Sequence, residues 1–162
     1  MFGLKGTFCR RGYRVRIGCA LWLALAVVCR GADALVVASW NVENLFDTED
    51  NPAFEGDDGY TPRGWARWTE ARYALKLEHL AQVIAAMRPD ILCLAEVENR
   101  RVLEDLSRTL RERNGYELPE IVHRDGGDPR GIDVALMAKV APVGTNWFCS
   151  VAGQRDVLAC DF

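Results

Sequence analysis

Two nearly continuous apolar runs, residues 35–40 (Leu-Val-Val-Ala-Ser-Trp) and 91–95 (Ile-Leu-Cys-Leu-Ala), bracket an amphipathic stretch. Runs that do not alternate with polar residues are what strands buried on both faces look like. Between them Tyr73, Leu77, Leu80, Ile84 and Met87 step by 4, 3, 4 and 3, which stripes one face of a helix over residues 68–88. Thr69 is placed to cap that helix, and Pro89-Asp90 stops it. After the second strand, Asn99 can cap a second helix with Val102 or Leu103, Leu106 and Leu110 on its inner face, ended by Asn114-Gly115. The order β, α, β, α with long crossovers predicts an α/β fold whose first two strands are parallel. Past Gly115 short strand-like runs follow at 116–123, 132–138, 146–151 and 156–161, split by Gly and Pro turns. They predict an antiparallel meander.

Residues 1–34 read as a signal peptide. Lys5, Arg10, Arg11, Arg14 and Arg16 make a basic start, residues 17–29 an apolar run, and Ala32-Asp33-Ala34 a small-x-small cleavage pattern. The run is short of the roughly 20 residues a membrane span needs, so no stable span is expected after cleavage. The alternative is an uncleaved anchor. The expected destination is periplasmic or secreted. Residues 35–162 then hold 14 basic and 22 acidic residues, a net charge of −8. That balance excludes a broad basic field for tracking a polyanion. Cys93, inside the second apolar run, reads as a buried free thiol, while Cys149 and Cys160 could pair in an oxidising compartment. Without CxxC spacing a zinc site is not indicated.

In a sheet fed by crossover helices, functional groups gather at the carboxyl ends of the strands. Asn41 closes the first run and Glu96 the second. A glutamate is a hard oxygen ligand suited to magnesium or manganese. An asparagine carboxamide can orient a phosphate oxygen or the attacking water. Glu98 is expected to be exposed ahead of the Asn99 cap, where the helix dipole favours it. Glu43 and Asn44 lie past the first strand end and could line the same pocket. Residues 47–64 read as a solvated loop, since its six carboxylates (Asp47, Glu49, Asp50, Glu55, Asp57, Asp58) lack calcium-loop spacing. Arg130 and Arg155 are candidate phosphate contacts through their forked donors. Asp133, inside a strand, needs a partner if buried. His79 reads as a helix boundary residue. No GxSxG elbow, HExxH pair, phosphate loop or dinucleotide fingerprint is present, and with only His79 and His123 a histidine-rich metal cluster is excluded.

Three blocks, Trp-Asn-Val-Glu-Asn-Leu-Phe-Asp (40–47), Pro-Asp-Ile-Leu-Cys-Leu-Ala-Glu-Val-Glu-Asn (89–99) and Arg-Gly-Ile-Asp-Val-Ala-Leu (130–136), resemble the endonuclease/exonuclease/phosphatase superfamily, as does the arginine-led run 154–158. The resemblance implies a four-layer α/β sandwich of two packed mixed sheets flanked by helices. It also implies hydrolysis of a phosphodiester, a nucleic acid being one candidate substrate, with Mg2+ or Mn2+. Glu96 matches the family's metal-binding glutamate, Asn41 its first-strand asparagine, and Arg130 and Arg155 fall in matching blocks. The family's Asp-x-Asn motif and its Asp-His general base have no counterpart among the 162 residues. Residues 35–162 are therefore expected to be roughly the first half of the domain, a fragment that a separate C-terminal half would complete. The alternatives are a truncated, inactive product and a same-fold lipid or small-molecule phosphoesterase.

Overall fold

The alternating pattern folds into six strands and two helices in a computed structural model that describes residues 34–148 and 152–162. The leader, apart from Ala34, lies outside the described residues, as does Cys149 of the expected Cys149–Cys160 pair. The order is β1 (Val37–Leu45), a 3-10 turn (Asp58–Tyr60), α1 (Glu70–Met87), β2 (Ile91–Val97), α2 (Arg100–Asn114), β3 (Glu120–His123), β4 (Asp133–Ala138), β5 (Gly144–Phe148) and β6 (Val157–Asp161). Leu35–Phe162 forms one unit. Among the described residues no helix is long and apolar enough to cross a membrane.

Both helices start and stop on the expected chemistry. The Thr69 hydroxyl accepts the Arg72 N–H, and Arg88, in the left-handed region at φ 50°, returns its N–H to the Ile84 carbonyl before Pro89. Asn99 accepts the Val102 N–H at 3.0 Å. Gly115 ends α2 at φ 62°, a conformation glycine adopts without a Cβ clash.

Four strands form a mixed sheet in the order β1-β2-β4-β3. β1 and β2 run parallel from Val37↔Ile91 to Asn41↔Ala95, and β4 is antiparallel to both β2 and β3. β5 and β6 form a second, antiparallel sheet. The meander thus divides: its first hairpin joins the large sheet and its second makes the small one. On one face Leu92, Leu94 and Met137 pack in a single core with Tyr73, Leu77, Ile84, Leu103 and Leu106 of the helices. On the other face Ile91, Leu136 and Ala138 are met by Leu158 and Cys160 of β6. Helices, large sheet and small sheet are three layers of the expected α/β sandwich.

β2 is covered on both faces, which is why its sequence does not alternate. β1 departs from expectation, because Leu35, Val36 and Val37 are all exposed. It pairs only with β2 among the described residues, so its second edge carries no strand. Cys93 and Cys160 are thiols, both half-buried rather than buried, and burial pushes both upward in pKa. Met87, counted on the helical stripe, is exposed at the last turn.

The loop 47–64 is not simply solvated. Phe46 stacks on Tyr60 with ring centroids 4.1 Å apart, Tyr60 meets Trp68 edge-on, and the Trp68 indole N–H donates to the Phe46 carbonyl at 2.9 Å. This aromatic anchor pulls the loop onto the domain, and Asp47 and Asp57 are buried with it.

Candidate active site

The site is built at the place where β1 and β2 both leave regular pairing. Register runs evenly to Asn41↔Ala95 and resumes at Leu45↔Val97, leaving Val42, Glu43 and Asn44 opposite Glu96 alone. Glu96 is also the unpaired residue against β4, between Ala95↔Val134 and Val97↔Asp133. Glu43, Asn44 and Glu96 have φ of 55°, 62° and 67°. Left-handed backbone at non-glycine residues costs on the order of 1–3 kcal/mol each, and concentrates at functional sites.

Packing explains why the bulges are tolerated. Leu94 and Val97 both lie in the helix-side core, as do Val42 and Leu45. Each pair is three residues apart, so an unbroken strand would send its members to opposite faces. The bulges restore both to one core. Lys76 holds the β1 bulge, its ammonium donating to the carbonyls of Glu43 at 2.6 Å and Asn44 at 3.1 Å.

The same irregularity brings Asn41 and Glu96 together. The Asn41 carboxamide donates from Nδ2 to Glu96 Oε1 at 3.0 Å, while its Oδ1 accepts the Glu43 N–H at 2.9 Å. Those two bonds define which way the amide is turned. Arg155, leading into β6, puts Nη1 3.7 Å from the same Glu96 oxygen and Nε 3.8 Å from Asp128 Oδ2. Asp128 is buried and gripped by Arg130 through Nε and Nη2, at 3.0 and 2.7 Å. The Arg130 guanidinium beside Asp128 holds that carboxyl below its ordinary range. The result is a row of alternating charge, Glu96, Arg155, Asp128, Arg130, with Asn41 at its head. Sequence reasoning missed Asp128; the visible signal is an aspartate two residues before Arg130 across a proline turn.

The remaining candidates separate from this row. Glu43 is exposed and contributes its backbone, and His79 is exposed on α1. Asp133 finds its partner in the Gly126 N–H at 2.9 Å, and His123 Nε2 lies 3.5 Å away without a hydrogen bond among the described residues. A side chain on Gly126 would collide with the Asp133 carboxylate.

Glu98 is buried, which corrects the expectation of an exposed residue. It accepts the Asp47 N–H at 2.7 Å, and burial, with the nearby Asp47 and Asp57 charges, pushes its pKa up to about 8. A carboxyl raised from 4.5 keeps its proton in the fold while the unfolded chain has lost it, so its contribution declines as pH rises towards 8. In EDTA, thermal stability is expected to fall between pH 5 and 8 by at most about 1.4 kcal/mol per pH unit from this group. Glu98→Gln should flatten that slope; an unchanged slope would assign it elsewhere.

The chemistry of the donor set fits a hard divalent ion. The Glu96 side chain is 16% exposed, and its described contacts fall on Oε1, leaving Oε2 accessible to a cation that keeps most of its waters. The two guanidinium groups suit an anion beside it.

Residues 36–152 match the profile of the Endonuclease/Exonuclease/phosphatase family. The chain belongs to this family. No curated protein and no solved structure matches it. The mixed four-stranded sheet, second sheet and two helices agree with the α/β fold of an endonuclease/exonuclease/phosphatase domain. At the level of the family the protein is a nuclease- or phosphatase-like hydrolase, and the family generally uses divalent metal ions. Acidic groups able to hold such an ion are present in the fold.

Proposed function

We propose that this endonuclease/exonuclease/phosphatase protein is a secreted or periplasmic, Mg2+- or Mn2+-dependent phosphodiester hydrolase of nuclease-like type. The observation that carries the reading is the hydrogen bond between Asn41 and the bulged Glu96, two residues from different strands held against each other by strained backbone. Glu96 would hold the metal. A divalent ion there supplies Lewis acidity towards a phosphoryl oxygen. Asn41 orients the Glu96 carboxylate and presents its amide to the phosphate. Arg155, next to Glu96, neutralises charge on the phosphate, and Arg130 positions Asp128, which in turn steadies Arg155. The leader-like residues 1–34 support export, and a nucleic acid is the substrate class favoured by the motif blocks.

Abstraction of a proton from water calls for a base, and neither an Asp-His pair of the expected kind nor an Asp-x-Asn motif lies within the 162 residues. Any hydrolysis of a generic phosphodiester is expected to stop on treatment with EDTA and to return with Mg2+ or Mn2+. Hydrolysis unaffected by chelation would overturn the metal-dependent reading. Metal binding with no hydrolysis would favour the inactive-product reading, and activity confined to phosphomonoesters or lipid headgroups the phosphoesterase one.

A further inference from the structure

The loop between β1 and α1 brings together carboxylates that its spacing in sequence did not. Oxygen atoms of Asp50, Asp57 and Asp58 lie within 4.8 Å of one another. Asp50 and Asp58 are exposed, whereas Asp57 is only 2% exposed. Asp57 Oδ2 accepts the Asn51 N–H at 2.8 Å, but Oδ1 is buried with no hydrogen-bond partner among the described residues. Within that same set no lysine or arginine forms an ion pair with any of the three. A buried carboxylate is normally paired or bound to a metal. Here the charged groups gathered with it are two more carboxylates.

We propose that Asp50, Asp57 and Asp58 form a binding site for a calcium ion, distinct from Asn41 and Glu96. The donors are all oxygen, with neither imidazole nor thiolate, which selects a hard cation over zinc or copper. They sit on one loop segment rather than on rigid strands. Ca2+ accepts six to eight oxygens in variable geometry, including carbonyls and waters, whereas Mg2+ requires a near-ideal octahedron. A cation there would remove the repulsion among the three carboxylates and tie the segment 50–58 to itself. The effect would reach the candidate active site, because Gly56 packs so closely on the Arg130 backbone that a Cβ there would lie 2.7 Å from its carbonyl oxygen. The site is therefore structural, bracing the turn that carries Arg130.

The aromatic residues beside it provide the readout. Tyr60 follows Asp58 by two positions, and its ring lies 5.7 Å from that of Trp65. Tb3+, a calcium surrogate, should show saturable luminescence sensitised by these rings when added to the EDTA-treated full chain. Ca2+ should displace it, and Mg2+ at the same concentration should not. The double variant Asp50→Asn/Asp58→Asn, which alters exposed positions only, should bind Tb3+ at least tenfold more weakly and lose the rise in Tm that Ca2+ gives the parent. Asp57→Asn should do the same. Glu96→Gln should keep both responses, since it lies outside the cluster. Loss of the signal in Glu96→Gln with retention in the double variant would overturn the proposal, as would a Tm indifferent to Ca2+.

Discussion

Glu96→Gln is expected to weaken Mn2+ binding at the candidate active site, and any metal-dependent phosphodiester hydrolysis with it, by at least about 100-fold. Loss of a group that only hydrogen-bonds to a metal ligand typically costs 10–100-fold in affinity or activity, and here the carboxylate proposed to touch the metal is the group removed. The neutral amide keeps the size of the side chain and can still bond to Asn41, so the fold should persist. Glu98→Gln is the matched control. Glu98 carries the same chemistry two residues away but is buried against the Asp47 backbone N–H, so its substitution should leave Mn2+ affinity within about threefold of the parent, well short of the loss expected for a group bonded to a metal ligand. Electron paramagnetic resonance of free Mn2+, read in parallel with hydrolysis, separates the two. Equal losses in both variants would remove Glu96 from its assigned role. Asn41→Ala belongs between these limits, since it removes the hydrogen bond at 3.0 Å that orients the Glu96 carboxylate.

The largest effect on stability is expected from Phe46→Ala, at about 3–5 kcal/mol. Phe46 is among the largest fully enclosed side chains, stacks on Tyr60, and lends its carbonyl to the Trp68 indole. Removing the ring leaves a cavity bounded by that aromatic cluster and frees one anchor of the loop 47–64. Trp65→Ala is the contrast. Its side chain is 81% exposed although it too touches Tyr60, so it should change stability by less than about 1 kcal/mol. Urea unfolding of the two variants, compared at the midpoint, measures the difference. A small effect from Phe46→Ala would mean that the loop is not anchored through this ring.

Much of the fold was legible because its signals are local. The helical stripe of Tyr73, Leu77, Leu80 and Ile84, and the caps at Thr69, Asn99 and Gly115, depend on side chains within a turn or so of each other. The continuous apolar run of β2 announced burial on both faces, and the structure covers it with helices on one side and β6 on the other. β1 has the same kind of run but a different environment. Apolar composition reports what a strand could bury, whereas exposure depends on how many neighbours it acquires, and Val37 remains 58% exposed.

The candidate site was legible in part. Asn41 and Glu96 were marked by their position at strand ends, and the fold places them in contact. Arg155 was marked by a motif block, and its approach to Glu96 needed the second sheet to pack against the first. Asp128 went unnoticed because a buried aspartate in a charged, glycine-rich turn is indistinguishable in sequence from a solvated one. The same limit concealed Asp57, which is buried while its neighbours Asp50 and Asp58 stay in water.

The sequence by itself determined the element types, the parallel start of the sheet and the kinship of the chain, since all three are written in local periodicity and contiguous motifs. Only the tertiary structure decided that Glu98 turns inward to the Asp47 N–H while Glu96, two residues earlier, meets Asn41. Side-chain direction along a strand follows a period of two, and one bulged residue at φ 67° reverses that parity for everything after it. The bulge exists because Leu94 and Val97 must share one core across an odd spacing, a demand that the helices packed on that face impose and that the strand alone does not express.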